Sequence, residues 1–135
     1  MKKYFIIASI LLPVCLLAIY YWPNNESRAI SALKKRATEK LIDFENLKTY
    51  KHDKYENNKL AFQAVTICGQ VKVKTDVADS FMYLKRNFLV NVLTINDGKD
   101  LDEDSMHFSD FQIEYREDNF SSYVYETMYK AYCTK

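Results

Sequence analysis

Leu60-Ala61-Phe62-Gln63-Ala64-Val65-Thr66-Ile67-Cys68-Gly69-Gln70-Val71-Lys72-Val73-Lys74-Thr75 is the stretch on which the fold turns. Its side chains alternate with period two. Phe62, Ala64, Thr66 and Cys68 fall on one side, Gln63, Val65 and Ile67 on the other. Val71 and Val73 then alternate with Lys72 and Lys74, as in a half-buried strand. Gly69 interrupts the pattern and marks a bulge or a close backbone approach. A second apolar run, Phe81 to Ile95, is rich in β-branched and aromatic residues and stops at Asn96-Asp97-Gly98, a turn signal. It reads as one or two strands. Phe111, Ile113 and Tyr115 alternate with Gln112, Glu114 and Arg116 as a further strand.

Outward from these strands the pattern lengthens. Over residues 26–48, Ile30, Leu33, Ala37, Leu41 and Phe44 recur at three- and four-residue steps, predicting an amphipathic helix capped by Asn25 or Ser27. Lys34, Lys35, Arg36, Glu39 and Lys40 occupy its polar face. The basic trio there reads as a solvated face, with anionic lipid headgroups as the other reading. Residues 49–59 read as a polar loop or hairpin tip, and residues 97–110 as a solvated acidic segment. From Asn119, Phe120, Tyr123, Val124, Met128 and Tyr132 fit a helix, whereas Tyr123, Tyr125, Tyr129 and Cys133 fit a strand. The helix is preferred because it swings Cys133 onto the sheet near Cys68. The expected fold class is α+β. It comprises a membrane-anchor helix over residues 1–25, then one domain over 26–135 with an N-terminal helix, an antiparallel sheet of about four strands and a C-terminal helix.

The first residues set the compartment. Lys2 and Lys3 precede an uncharged run of 19 residues, Tyr4–Trp22. As a helix this run spans about 28 Å, close to a bilayer core. Tyr20, Tyr21 and Trp22 close it as an interfacial aromatic cluster. An uncleaved signal anchor is the first reading. A cleaved peptide is the second, and its best site, Ser27-Arg28-Ala29, is distant and charged. Cys15 follows Val14, which is too large for a lipid-modification site. Positive charge favours a cytoplasmic N-terminus through Lys2 and Lys3, and opposes it through Arg28, Lys34, Lys35 and Arg36. Cys68 and Cys133, an even pair in the domain, read as one disulfide and place the domain in the periplasm or its equivalent. Such a closure contributes roughly 4 kcal/mol on the chain-entropy account. Two buried thiols in a cytosolic domain is the competing reading.

Little in the sequence points to a reaction. The chain has 135 residues with 2 Gly and 2 Pro, too few for glycine-rich phosphate loops. His52 and His107 are the only histidines, and neither Cys-x-x-Cys nor His-x-x-x-His spacing occurs, so no metal centre is expected. Aligning Gly98 with the glycine of a calcium-binding EF-hand loop puts Leu93 and Ile95 where carboxylates are needed; an irregular site at Asp100, Asp102 and Asp104 is the only calcium alternative. No Gly-x-Ser-x-Gly elbow is present. Catalysis and cofactors are therefore not expected. Leaving out Lys2 and Lys3, 17 basic and 18 acidic residues remain, so nucleic acid is not expected either. Residues 28–59 hold nine basic against five acidic residues, and residues 97–118 show the reverse. This dipolar surface suits a protein partner or self-docking. Tyrosine supplies contact area at low entropy cost, which makes Tyr50, Tyr55, Tyr83, Tyr115, Tyr123, Tyr125 and Tyr129 interface candidates, with Tyr132 beside them.

The order of Leu41-Ile42-Asp43-Phe44-Glu45-Asn46-Leu47, a polar gap, Ile67-Cys68-Gly69-Gln70-Val71-Lys72-Val73-Lys74, an aromatic run with Phe81, Tyr83 and Phe88, and a closing cysteine resembles a loose group of small exported bacterial and prophage proteins of unknown function. In that group a helix runs into an Asp-Pro-Ser-x-Phe segment followed by a Cys-Gly-x-Val-Asn-x-Lys strand. Phe44, Cys68, Gly69, Val71 and Lys74 fall on the pattern. The Asp-Pro pair, the Asn (Lys72 stands there) and a Gly-Gly-Tyr loop are missing. The resemblance implies a small exported α+β domain and no reaction. The functional expectation is a membrane-anchored, envelope-facing protein-interaction module, with an immunity or inhibitor protein that neutralises a toxin or hydrolase as one form. The alternative is a structural accessory of an envelope complex that contacts its partners through the anchor helix. A small enzyme ranks third.

Overall fold

A computed structural model describes residues 24–114 and 119–134. The anchor expected over residues 4–22 and the candidate Tyr115 lie outside the described residues. Among those described, no helix is long and apolar enough to cross a membrane.

Helix α1 (Asn25–Lys35) starts at Asn24, whose side chain accepts from the Ser27 backbone N–H at 2.8 Å. Glu26 in the first turn and Lys34 and Lys35 in the last suit the helix dipole. Ala29, Ala32 and Leu33 form its buried face. The helix ends there rather than near residue 48. Leu41 and Phe44, expected on it, belong instead to strand β1 (Leu41–Glu56). The reason is two bulges. The register shifts between Ile42 and Glu45 and again between Glu45 and Lys48, with Asp43 and Asn46 both at φ 52°. Each shift absorbs an extra residue. Leu41, Phe44 and Leu47 therefore all reach the core at three-residue steps, a spacing that imitates a helix. Residues 49–56 are likewise strand rather than loop. The hairpin tip is only Asn57-Asn58.

Strands β2 (Lys59–Val77) and β3 (Ser80–Asn96) form the centre of the molecule. The apolar run 81–95 is thus one strand. Short strand β4 (Lys99–Asp100) and strand β5 (His107–Ile113) pair along the other side of β3, giving an antiparallel sheet in the order β1-β2-β3 with β4 and β5 beyond. The acidic segment therefore contains β4, a 3₁₀ turn (Glu103–Ser105) and the start of β5. Asn57-Asn58, Ala78-Asp79 and Asp97-Gly98 each close a hairpin with two residues at positive φ, the tight-turn geometry that matches strand twist. The tail is the preferred helix, α2 (Asn119–Tyr132).

One face of the sheet carries the main core. Val65, Ile67, Val71, Phe88, Val90 and Val92 are buried there under Ala29, Ala32 and Leu33 of α1 and Met106. Phe88 sits in the middle, 5.3 Å edge-on from Phe44 and 5.6 Å stacked on Phe111. Gly69 lies opposite Phe88 on β2. A Cβ on Gly69 would come within 2.7 Å of Leu47 Cδ2 and 2.8 Å of the Glu45 carbonyl, so the glycine is the close approach of β1 to β2.

Part of the charge asymmetry of the sequence is spent within the molecule. Lys35 pairs with Glu103 at 2.6 Å, Arg36 donates to the Met106 carbonyl at 2.9 Å, and Arg28 donates to the Leu101 carbonyl. The hydrogen bond between Lys35 and Glu103 raises the lysine pKa and lowers that of the carboxylate. The basic helix thus docks on the acidic segment. The chain enters this end of the fold at Asn24, with Asn25 donating to Gln63 Oε1 at 3.0 Å.

Candidate interaction surfaces

The second face of the sheet lies under α2, and its side chains fall in rows across the strands. One row is Lys48, Cys68, Leu89 and Gln112; the next is Tyr50, Thr66, Asn91 and Ser109; the third is His52, Ala64, Leu93 and His107. The apolar part is small: Cys68 and Leu89, with Tyr125 and Cys133 buried on them and Tyr50, Met128 and Tyr132 around. Cys68 and Cys133 form the expected disulfide, their Cα atoms 6.1 Å apart.

Polar chains flank that apolar island on both sides. On one side Asp110 accepts from Asn91 Nδ2 at 3.2 Å, so Asn91 turns its oxygen to Thr66 and accepts the threonine hydroxyl at 2.6 Å. The Thr66 oxygen, its proton committed, then accepts from His52 Nε2 at 3.0 Å. On the other side Glu114 accepts from Asn87 at 2.6 Å, Asn87 from Gln70 at 3.3 Å, and Gln70 from Asn46 at 2.9 Å. Both chains run across the sheet to a carboxylate, whose charge orients every amide and hydroxyl in turn.

Two cavities open on this face. One, of about 410 Å³, is floored by Ala64 and Leu93 and lined by His52, Phe62, His107 and Tyr132. The two histidines stand at opposite ends of a four-strand row, and His52 Nε2 is turned to the Thr66 hydroxyl. The other, of about 230 Å³, lies beside the disulfide and is lined by Asn46, Tyr50, Gln70, Asn87 and Tyr129. Among the described residues no three metal-ligating side chains gather, at Asp100, Asp102 and Asp104 or elsewhere.

The tyrosine candidates do not assemble into one face. Tyr125 is buried against the disulfide, and that burial, with the Glu114 carboxylate adding, holds its phenol well above the ordinary tyrosine range. Tyr50 is half-buried beside it. Tyr123 and Tyr129 are exposed on α2, and Tyr55 is exposed at the β1–β2 tip. Tyr83 lies at the opposite end of β2, in company that composition alone did not mark out.

That company is an arm. Pairing of β1 with β2 begins at Leu41 and Val73, and pairing of β5 with β3 ends at Ile113 and Phe88. Beyond these points Thr75–Val77 and Ser80–Met82 pair only with each other among the described residues. Phe81 is 58% exposed, Met82 49% and Tyr83 37%. Phe81 and Tyr83 meet edge-on at 5.9 Å, Lys74 Nζ lies 4.3 Å over the Phe81 ring, and the Tyr83 hydroxyl donates to the Glu39 carbonyl at 3.1 Å. The signal was present in Phe81-Met82-Tyr83-Leu84, four consecutive apolar residues, of which a strand with one wet face normally shows two. The arm points along β2 away from Asn24, roughly 50 Å of strand from Gln63 to Ala78. No family model, curated protein or solved structure matches the chain.

Proposed function

We propose that the chain is an outward-facing protein-interaction module, held at the membrane by residues 4–22, that makes its contact through the β2–β3 arm. The observation that carries this reading is the run of Phe81, Met82 and Tyr83, large apolar side chains left in solvent on paired strands. Their exposure leaves apolar surface in water, and contiguous exposed apolar groups mark contact sites. Supporting it are the disulfide, which suits an oxidising compartment, and the uncharged run of membrane-spanning length. An immunity or inhibitor role remains one form of the reading, since a binding arm needs no catalytic group.

The test is site-specific photocrosslinking in intact cells, with a benzophenone amino acid in place of Phe81 in the full chain and, separately, in place of Tyr55. Adducts from position 81 and none from position 55 are the expected result. Adducts from position 55 alone, or from neither, overturn the reading.

A further inference from the structure

We infer that the partner of the arm is the arm of a second copy of this chain, joined β3 edge to β3 edge about a two-fold axis at Met82. The inference rests on the arm being the contact surface and adds what it contacts.

The backbone supplies the first argument. The Glu114 N–H donates to the Asn87 carbonyl at 2.9 Å, so Asn87 turns its backbone groups toward the outer edge of β3. Alternation makes Lys85, Tyr83 and Phe81 do the same. No described strand pairs with them. Edge strands are normally guarded by bulges, lysines or prolines. The outer edge of β1 is guarded in this way, with bulges at Asp43 and Asn46 and with Lys48, Lys51 and Lys54 along it. On the arm edge Phe81 and Tyr83 carry no charge, and between Ser80 and Asn96 no residue has positive φ and none is proline; a single lysine, Lys85, follows them on that edge.

Self-complementarity supplies the second argument. An antiparallel strand centred on Met82 sets Phe81 opposite Tyr83 of the second copy, and Tyr83 opposite its Phe81. Both are pairs in which the outward backbone groups exchange hydrogen bonds. Met82 then meets its own copy, and Asp79 comes opposite Lys85 of the second copy, whose Nζ also pairs with Glu45 of its own chain at 2.5 Å. Moving the axis to Tyr83 sets Asp79 opposite Asn87, whose outer carbonyl is already taken by the Glu114 N–H and whose side chain holds the Glu114 carboxylate. Carboxylate would face carboxylate, so the Met82 register is the one the charges favour. The edge thus carries its own complement, hydrogen bond, ring and charge.

Position-specific disulfide trapping tests this on the full chain in detergent, with Cys15→Ala removing the remaining cysteine outside the Cys68–Cys133 pair. In the Met82 register, Met82→Cys faces itself across a pair whose Cα atoms are about 4.5 Å apart, within disulfide reach. Leu84→Cys faces Ser80 and lies four residues out of register with its own copy. Mild oxidation is expected to convert Met82→Cys to covalent dimer at least tenfold more than Leu84→Cys. Equal trapping at both positions, or none at either, overturns the proposal. Sedimentation of the chain with Met82 intact is the second measurement. A concentration-dependent dimer abolished by Phe81→Glu supports it, and a monomer at every concentration overturns it. A photoadduct from position 81 with the mass of another protein, together with absent Met82→Cys trapping, sinks the second copy while leaving the arm as the contact surface. Absence of any adduct sinks both.

Discussion

The two faces of the sheet are held by different means. Under α1 the strands present an unbroken apolar layer centred on Phe88, and the helix adds alanines and a leucine that let it lie close. Under α2 they present two hydrogen-bonded chains and a narrow strip around Cys68 and Leu89. Burial is roughly proportional to apolar area, so the first helix is retained by area and the second has little area to offer. A covalent bond makes up the difference. The α2 face is therefore the one that oxidation state controls, and the α1 face the one that packing controls.

Changes aimed at one face test the contrast. Phe88→Ala removes the ring between Phe44 and Phe111 and is expected to cost about 3–5 kcal/mol in chemical denaturation. A loss under about 1 kcal/mol would mean that the main core lies elsewhere. Replacing both Cys68 and Cys133 by Ser is expected to cost about 2–5 kcal/mol. Hydrogen exchange should show the loss first in α2, with the amides of Val65, Ile67 and Val90 keeping their protection at low denaturant. Uniform deprotection would erase the distinction between the faces. Asn91→Leu breaks the chain between Thr66 and Asp110 and leaves the buried Thr66 hydroxyl with His52 as its hydrogen-bond partner, for an expected loss of about 1 kcal/mol.

The first half of β1 shows where sequence reading fails and why. Period two was legible in Leu60–Thr75 because β2 is central and its register runs true from Ala64 to Val77. Leu41, Phe44 and Leu47 were read as helix because two bulges turned a two-residue repeat into three. The pair of short polar residues able to adopt positive φ, Asp43 and Asn46, was the available warning. The disulfide was legible from the even pair of cysteines in the domain. The arm was signalled by the run Phe81–Leu84 but missed, because such a run also fits a strand buried on both faces, and only the structure shows β1 and β5 both stopping short of it. The Tyr125 burial was equally hidden, since helix and strand readings placed that residue on different faces.

Smaller effects sharpen the comparison. Tyr125 is neutral in the folded protein to a pH at which the unfolded chain has ionised it, because burial lifts its pKa. The stability it contributes is present below about pH 10, the unfolded value, and lost as pH rises beyond it. Alkaline titration of the fold should therefore be less steep in Tyr125→Phe, and an unchanged profile would deny the phenol its place under α2. Least is expected from Lys35→Met. Its ion pair with Glu103 is solvent-exposed, and such pairs add little to stability and less at high salt. A larger loss would show that α1 is held by charge after all.

The three two-residue hairpins carry a kinetic consequence. Each long strand finds its partner in the segment that immediately precedes it, so the sheet assembles through short loop closures, for which the entropy penalty is small. Docking of α1 onto the acidic segment and closure of Cys68 to Cys133 span far more chain and belong to a later stage. Removing the disulfide should then leave the refolding rate nearly untouched and appear almost wholly as faster unfolding. The staple acts on how long the folded molecule lasts, while the meander sets how quickly it forms.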